Sequence, residues 1–135
     1  MRILIDTNIA LSAILSPNGR TAGVLKFAIR DEHTICLCTF SIDELRLVVK
    51  RKFPDKRPSL ELFLTELSYE LLLTPVVLSQ GLPAMRDVND LPILASAMMG
   101  DVDLLLTGDK DFEVLDIERP VILSPSRFME LYAQT

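Results

Sequence analysis

Ile3-Leu4-Ile5-Asp6-Thr7-Asn8 joins a short aliphatic run to an acid, a hydroxyl and an amide. Continuous apolarity over residues 2 to 6, with β-branched side chains, predicts a strand buried on both faces, as in a parallel sheet. The strand ends at Asp6. From Asn8 the pattern turns helical through Ile9, Leu11, Ile14 and Leu15, breaks at Ser16-Pro17-Asn18-Gly19, and resumes as a helix from about Thr21 to Arg30. A second strand is expected at 34 to 39. Ser41 then opens a helix through Glu44, Leu45, Val48 and Val49, and an amphipathic helix follows from Ser59 to about Leu72. Thr74 to Leu78 is the third strand expected, with a polar connection behind it. A helix from near Asp90 stops at Gly100, a strand at 103 to 107 ends in Thr107-Gly108-Asp109, Pro120 to Leu123 makes another strand, and a last helix starts at about Ser126.

Strands separated by helices throughout imply an α/β fold: three layers, α/β/α, around a central parallel sheet of about four to five strands. With no linker, repeat or low-complexity stretch, residues 1–135 are expected to form a single domain. The hydrophobic share of 49% implies a large core and some apolar surface covered by a partner, with a homodimer as the default. No apolar run approaches the roughly 18 residues needed to cross a bilayer. The start of the chain carries no basic region followed by an apolar segment and a cleavage site, so a cytoplasmic protein without membrane contact is expected. Cys36 and Cys38, two apart in a strand, share a face and read as small core residues of a reducing compartment. His33, the single histidine, sits in a polar turn and reads as a solvated cap.

Four acids recur at strand ends or helix starts: Asp6, Glu44, Asp90 and Asp109. In a parallel α/β sheet the carboxyl ends of the strands gather functional side chains. Carboxylates brought together without a basic partner repel, so protons or a divalent cation must offset the charge; among cations Mg²⁺ or Mn²⁺ suits oxygen ligands. Each acid also has a capping role open to it. Asp6 and Asp90 are placed to cap the helices that follow, Ser41 with Glu44 matches a capping box, and Asp109 is placed to cap a turn after Gly108.

The order and neighbours of these acids resemble the PIN domain, a metal-dependent nuclease fold that includes toxins of the VapC type. The matching stretches are Ile3 to Asn8, Ser41 to Val49, Asn89 to Ala97 and Leu105 to Phe112, which frame most of the chain. Lys50-Arg51-Lys52-Phe53 resembles the branch of toxin components of toxin–antitoxin pairs. The resemblance implies that Asp6, Glu44, Asp90 and Asp109 form a catalytic site, with Asp6, Asp90 and Asp109 as metal ligands and Glu44 orienting water. Asn8 and Thr107 would support those carboxylates, Asp111 would stand behind them, and Asp43 is a rival for Glu44. Asp87 with Arg86 reads as a local polar turn.

The implied activity is Mg²⁺- or Mn²⁺-dependent endoribonuclease cleavage of RNA, leaving a 5′-phosphate and a 3′-hydroxyl, by a toxin held in check by a cognate antitoxin. A formal net charge of −5 excludes a uniformly basic nucleic-acid surface. Arg46, Lys50, Arg51 and Lys52, extended by Lys56 and Arg57, concentrate positive charge in one region suited to an RNA backbone, or to a solvated helix end. Two other classes stay open. One is a catalytically silent PIN-like module binding RNA or protein. The other is a phosphatase with a nucleophilic aspartate, a class that wants a second Asp where this chain has Asn8.

Overall fold

The computed structural model describes residues 1–76, 82 and 90–133. The chain runs β1 (Arg2–Ile5), α1 (Thr7–Leu15), α2 (Arg20–Arg30), β2 (Thr34–Cys38), α3 (Thr39–Lys52), a 3₁₀ turn (Pro54–Lys56), α4 (Arg57–Glu66), β3 (Tyr69–Leu72), α5 (Leu91–Met99), β4 (Leu104–Leu106), α6 (Lys110–Glu113), β5 (Val121–Leu123) and α7 (Pro125–Tyr132). The five strands form one sheet in the order β3-β2-β1-β4-β5, and every pairing is parallel. The α/β/α reading therefore holds.

Alternation along the central strands divides the core in two, because successive side chains leave opposite faces of a sheet. Ile3, Ile5, Ile35, Leu37, Leu104 and Leu106 pack against α1, α2, α3, α4 and α7. Leu4, Cys36, Cys38 and Leu105 meet α5 and α6 through Ile93, Leu94, Ala97 and Phe112. The cysteines share a buried face, and burial pushes the Cys36 thiol up to about 11, which leaves it protonated and inert.

The expected helix from Ser59 to about Leu72 is corrected. The helix is α4, ending at Glu66, and Tyr69–Leu72 forms the edge strand β3 beside Ile35–Cys38. Leu71 and Leu72 extend the helical periodicity in sequence, but ladder bonds to β2 decide the conformation. The strand expected over Thr74 to Leu78 is not found at 74–76; Val77 and Leu78 lie outside the described residues, as do Arg86, Asp87 and Asn89.

The start of α3, the detail of the stop at Gly100 and the setting of His33 also differ. Ser41 does not open α3; it lies buried in the first turn behind the cap position Cys38, so no capping box with Glu44 forms. Gly100 caps α5 with an ordinary φ, and the left-handed residue is Asp101 (φ 49°), whose amide and that of Val102 close back on Met98 and Ala97 in a Schellman arrangement. Gly100 is needed for a different reason: a Cβ there would sit 2.8 Å from the Ser96 carbonyl oxygen and 3.0 Å from Leu72 Cδ1. His33 is packed rather than solvated. Its ring meets Phe128 and Tyr132 edge-on, each at 6.1 Å, and its Nε2 lies 3.2 Å from Asp31.

Candidate metal centre

Strand order reverses direction at β1. The chain moves from β1 outward to β2 and β3, then returns to the other side of β1 as β4 and β5. In open α/β sheets ligands bind at such a switch point, beyond the carboxyl ends of the strands. Asp6 follows β1 directly, and Thr107, Gly108 and Asp109 follow β4.

Asp6 is 3% exposed and Thr107 is fully buried. Asp6 Oδ1 accepts the Ile9 amide at 3.0 Å, so Asp6 does cap α1, and Oδ2 accepts the Thr107 hydroxyl. Thr107 Oγ1 accepts the Asp109 amide at 3.0 Å, and Asp109 Oδ1 accepts the Asp111 amide at 2.9 Å, opening α6. The two capping carboxylates are thus joined through Thr107 in one chain of hydrogen bonds. Burial pushes the Asp6 carboxyl above its ordinary value and the charge of Asp109 pushes the same way, against the pull of hydrogen bonds from Thr107 and the Ile9 and Asn8 amides.

Asp90, Asp109 and Asp111, each half-buried, bring one carboxylate oxygen apiece within 4.8 Å of one another. Asp90 precedes α5 but makes no side-chain cap bond to it. The sequence pattern gave Asp111 a supporting place, and the structure sets it beside Asp90 and Asp109. Asp6 is not one of these three mutually close acids; it reaches them through Thr107 and the field of Asp109. An all-oxygen donor set of this kind suits Mg²⁺ or Mn²⁺ and disfavours softer metals.

Glu44 and Asp43 separate by environment. Glu44 is half-buried and, among the described residues, makes no hydrogen bond or ion pair, whereas Asp43 is exposed. The start of α3 is tied to the start of α1 by Thr7 Oγ1, which donates to Ser41 Oγ at 3.1 Å, and Glu44 lies three residues further along the same side of α3. Asn8 is exposed beside Asp6.

The basic residues of α3 divide by helix phase. At about 100° per residue, Arg51 lies within about 20° of Glu44 and two turns on, while Arg46 and Lys50 leave the opposite flank. That flank faces α4, where Arg46 pairs with Glu61 at 3.2 Å and a cleft of about 200 Å³ is lined by Arg46, Val49, Lys50, Arg57, Leu60 and Glu61. The sequence patch is therefore two surfaces, with Lys52 closing the helix between them. A larger, apolar groove of about 420 Å³ lies between α1, α2 and α4.

The fold and these acids define a class: a parallel α/β protein that gathers carboxylates at the switch point of its sheet. The PIN domain model matches residues 2–111, and the chain belongs to that family. Its structure is similar to a chain of VapBC2 from Rickettsia felis, crystallised bound to a DNA fragment from their promoter, with a TM-score of 0.69, 20% identity, and coverage of 92% of this chain and 98% of that one. Among curated proteins, none matches the chain. No helix among the described residues is long and apolar enough to cross a membrane.

Proposed function

We propose that the chain is a metal-dependent endoribonuclease, the toxin of a toxin–antitoxin pair, acting in the cytoplasm as one domain on RNA. The observation that carries this reading is the meeting of Asp90, Asp109 and Asp111 beside the buried Asp6, on the edge of the sheet where this architecture binds ligands. Asp90 and Asp109 would hold Mg²⁺ or Mn²⁺, with Asp6 and Asp111 completing or orienting the set. Bound there, such an ion supplies Lewis acidity toward the phosphate and neutralises its charge.

The chain's own groups do the rest. Thr107 fixes Asp6 by donating to Oδ2 and fixes Asp109 by accepting its amide, so one buried hydroxyl sets two carboxylates. Glu44 is the carboxylate available to orient the attacking water and take its proton. Asn8, exposed two residues after Asp6, would meet the substrate. Arg51, in line with Glu44, is the cation placed to meet the RNA backbone. Membership of the PIN family and the likeness to a VapBC2 chain support an antitoxin partner. Exposed Leu62, Leu71, Leu73 and Val114 are apolar surface of the kind that an antitoxin or a second copy covers.

The test is cleavage of an end-labelled structured RNA pool, with and without Mg²⁺ or Mn²⁺, by the wild type beside Asp6→Asn. Metal-dependent cuts leaving 5′-phosphate ends, absent in the variant, are expected. An active Asp6→Asn protein would sink the assignment, and a wild type that binds RNA but cuts nothing would leave a silent binding module.

A further inference from the structure

We propose that Thr74 is a positioning residue that sets the start of α5, which carries Asp90, against the start of α3, which carries Glu44; the inference rests on reading those acids as site residues. The first turn of α3 lacks a cap of its own, since Cys38 makes no side-chain cap bond. Thr74 supplies it from elsewhere in the chain. Its Oγ1 accepts the Phe40 amide at 3.1 Å, and its own amide donates to Thr39 Oγ1 at 3.0 Å. This is the reciprocity of a capping box, divided between two distant segments.

The same hydroxyl turns to α5. Ser96 Oγ lies 2.8 Å from Thr74 Oγ1 and 2.7 Å from the Pro92 carbonyl oxygen. A carbonyl only accepts and Ser96 has one hydroxyl proton, so that proton goes to Pro92 and the Thr74 proton goes to Ser96. Thr74 thus accepts from α3 and donates to α5, and both capacities of one oxygen span the two helices.

Asp90 gives α5 no side-chain cap, and Pro92 in the first turn has no N–H to offer. Ser96, 1% exposed, is six residues beyond Asp90, about 9 Å along the axis. At the far end Gly100 packs on Leu72 with no room for a side chain. Thr74 reaches the first turn of α5 through Ser96 and the Pro92 carbonyl, while Leu72, two residues earlier where the edge strand ends, packs on Gly100 at the other end. A change at Thr74 therefore moves one acid relative to the other without touching either.

The test compares the full chain with Thr74→Val, which keeps the shape and removes the hydroxyl, and Thr74→Ser, which keeps the hydroxyl. Mn²⁺ affinity by calorimetry is expected to fall about tenfold in Thr74→Val and to return in Thr74→Ser. Phe128→Leu, on the opposite side of the sheet, is the control that lowers stability with Mn²⁺ affinity unchanged. Ser96→Ala cuts only the α5 arm and serves if Thr74→Val does not fold. Unchanged Mn²⁺ affinity, or a loss that the control reproduces at equal stability, overturns the proposal. Amide exchange supplies a metal-free readout: Phe40 and the α5 amides should exchange faster in Thr74→Val while those of α2 do not. A wild type that binds no Mn²⁺ would refute the metal reading alone, and unchanged exchange at Phe40 and α5 would then refute the positioning role.

Discussion

Replacing Thr107 by valine removes one hydroxyl from a fully buried site and leaves its volume nearly unchanged, so the effect is electrostatic rather than steric. Two hydrogen bonds vanish: the Thr107 hydroxyl to Asp6 Oδ2, and the Asp109 amide to Thr107 Oγ1. The bond to an ionised carboxylate contributes about 1.5–3 kcal/mol and the neutral one about 1 kcal/mol, so the variant should lose about 2.5–4 kcal/mol at a pH where Asp6 is ionised in both proteins. A domain with about 5–15 kcal/mol in hand stays folded under that loss.

The pH dependence carries the sharper test. Burial already raises the Asp6 carboxyl above its ordinary value, and the Thr107 bond pulls it down, so the valine variant must titrate higher still. A carboxyl raised by folding binds more protons in the native state than in the unfolded one, and stability falls as pH rises through the folded pKa. Below the wild-type Asp6 value the acid is neutral in both proteins and the charge-dependent part of the difference disappears. Between the two folded values the difference grows with pH, and above the variant's value it is complete. Urea denaturation in chelator-containing buffer, from acid to neutral pH, reads this directly. A loss under about 1 kcal/mol, or one that does not change with pH, would refute the account of how Thr107 holds the site.

Mg²⁺ should raise the melting temperature of the wild type, by up to about 2.7 kcal/mol of added stability at a hundredfold excess over its Kd. Asp109→Asn should respond much less, and equal responses would place the ion elsewhere. In an Asp6→Asn background that binds RNA without cutting it, Arg51→Ala should reduce the slope of log affinity against log salt by about 0.7, one phosphate contact on a single strand. Arg46→Ala, already paired with Glu61 on the other flank, should leave that slope as it was. Glu32 holds φ 64° at the end of α2, a conformation costly for a side chain, so Glu32→Gly should stabilise the protein by about 0.5–1 kcal/mol in urea denaturation.

Strands β1, β2 and β4 were legible because each is a short apolar run buried on both faces, and the acids at Asp6 and Asp109 were legible because they terminate such runs. The helix α4 was overextended for the converse reason: Tyr69-Glu70-Leu71-Leu72 is an edge strand with only Leu72 buried, so its pattern carries no clear period. Capping and site roles were set against each other in the sequence; Asp6 and Asp109 do cap α1 and α6, and this does not exclude a site role, because a carboxylate has lone pairs to spare after accepting one amide.

The sequence by itself determined the alternation of strand and helix, the parallel sheet and the acids available at its edge, since all of these are written in local periodicity and neighbours. Only the tertiary structure decided that Asp90 meets Asp109 and Asp111, that Arg46 and Lys50 turn to α4, and that Thr74 caps a helix begun 35 residues earlier. Those pairings join residues far apart in the chain. No local pattern encodes the distance between them; it is fixed when the ladder from β2 to β3 and the packing of α5 bring their atoms together.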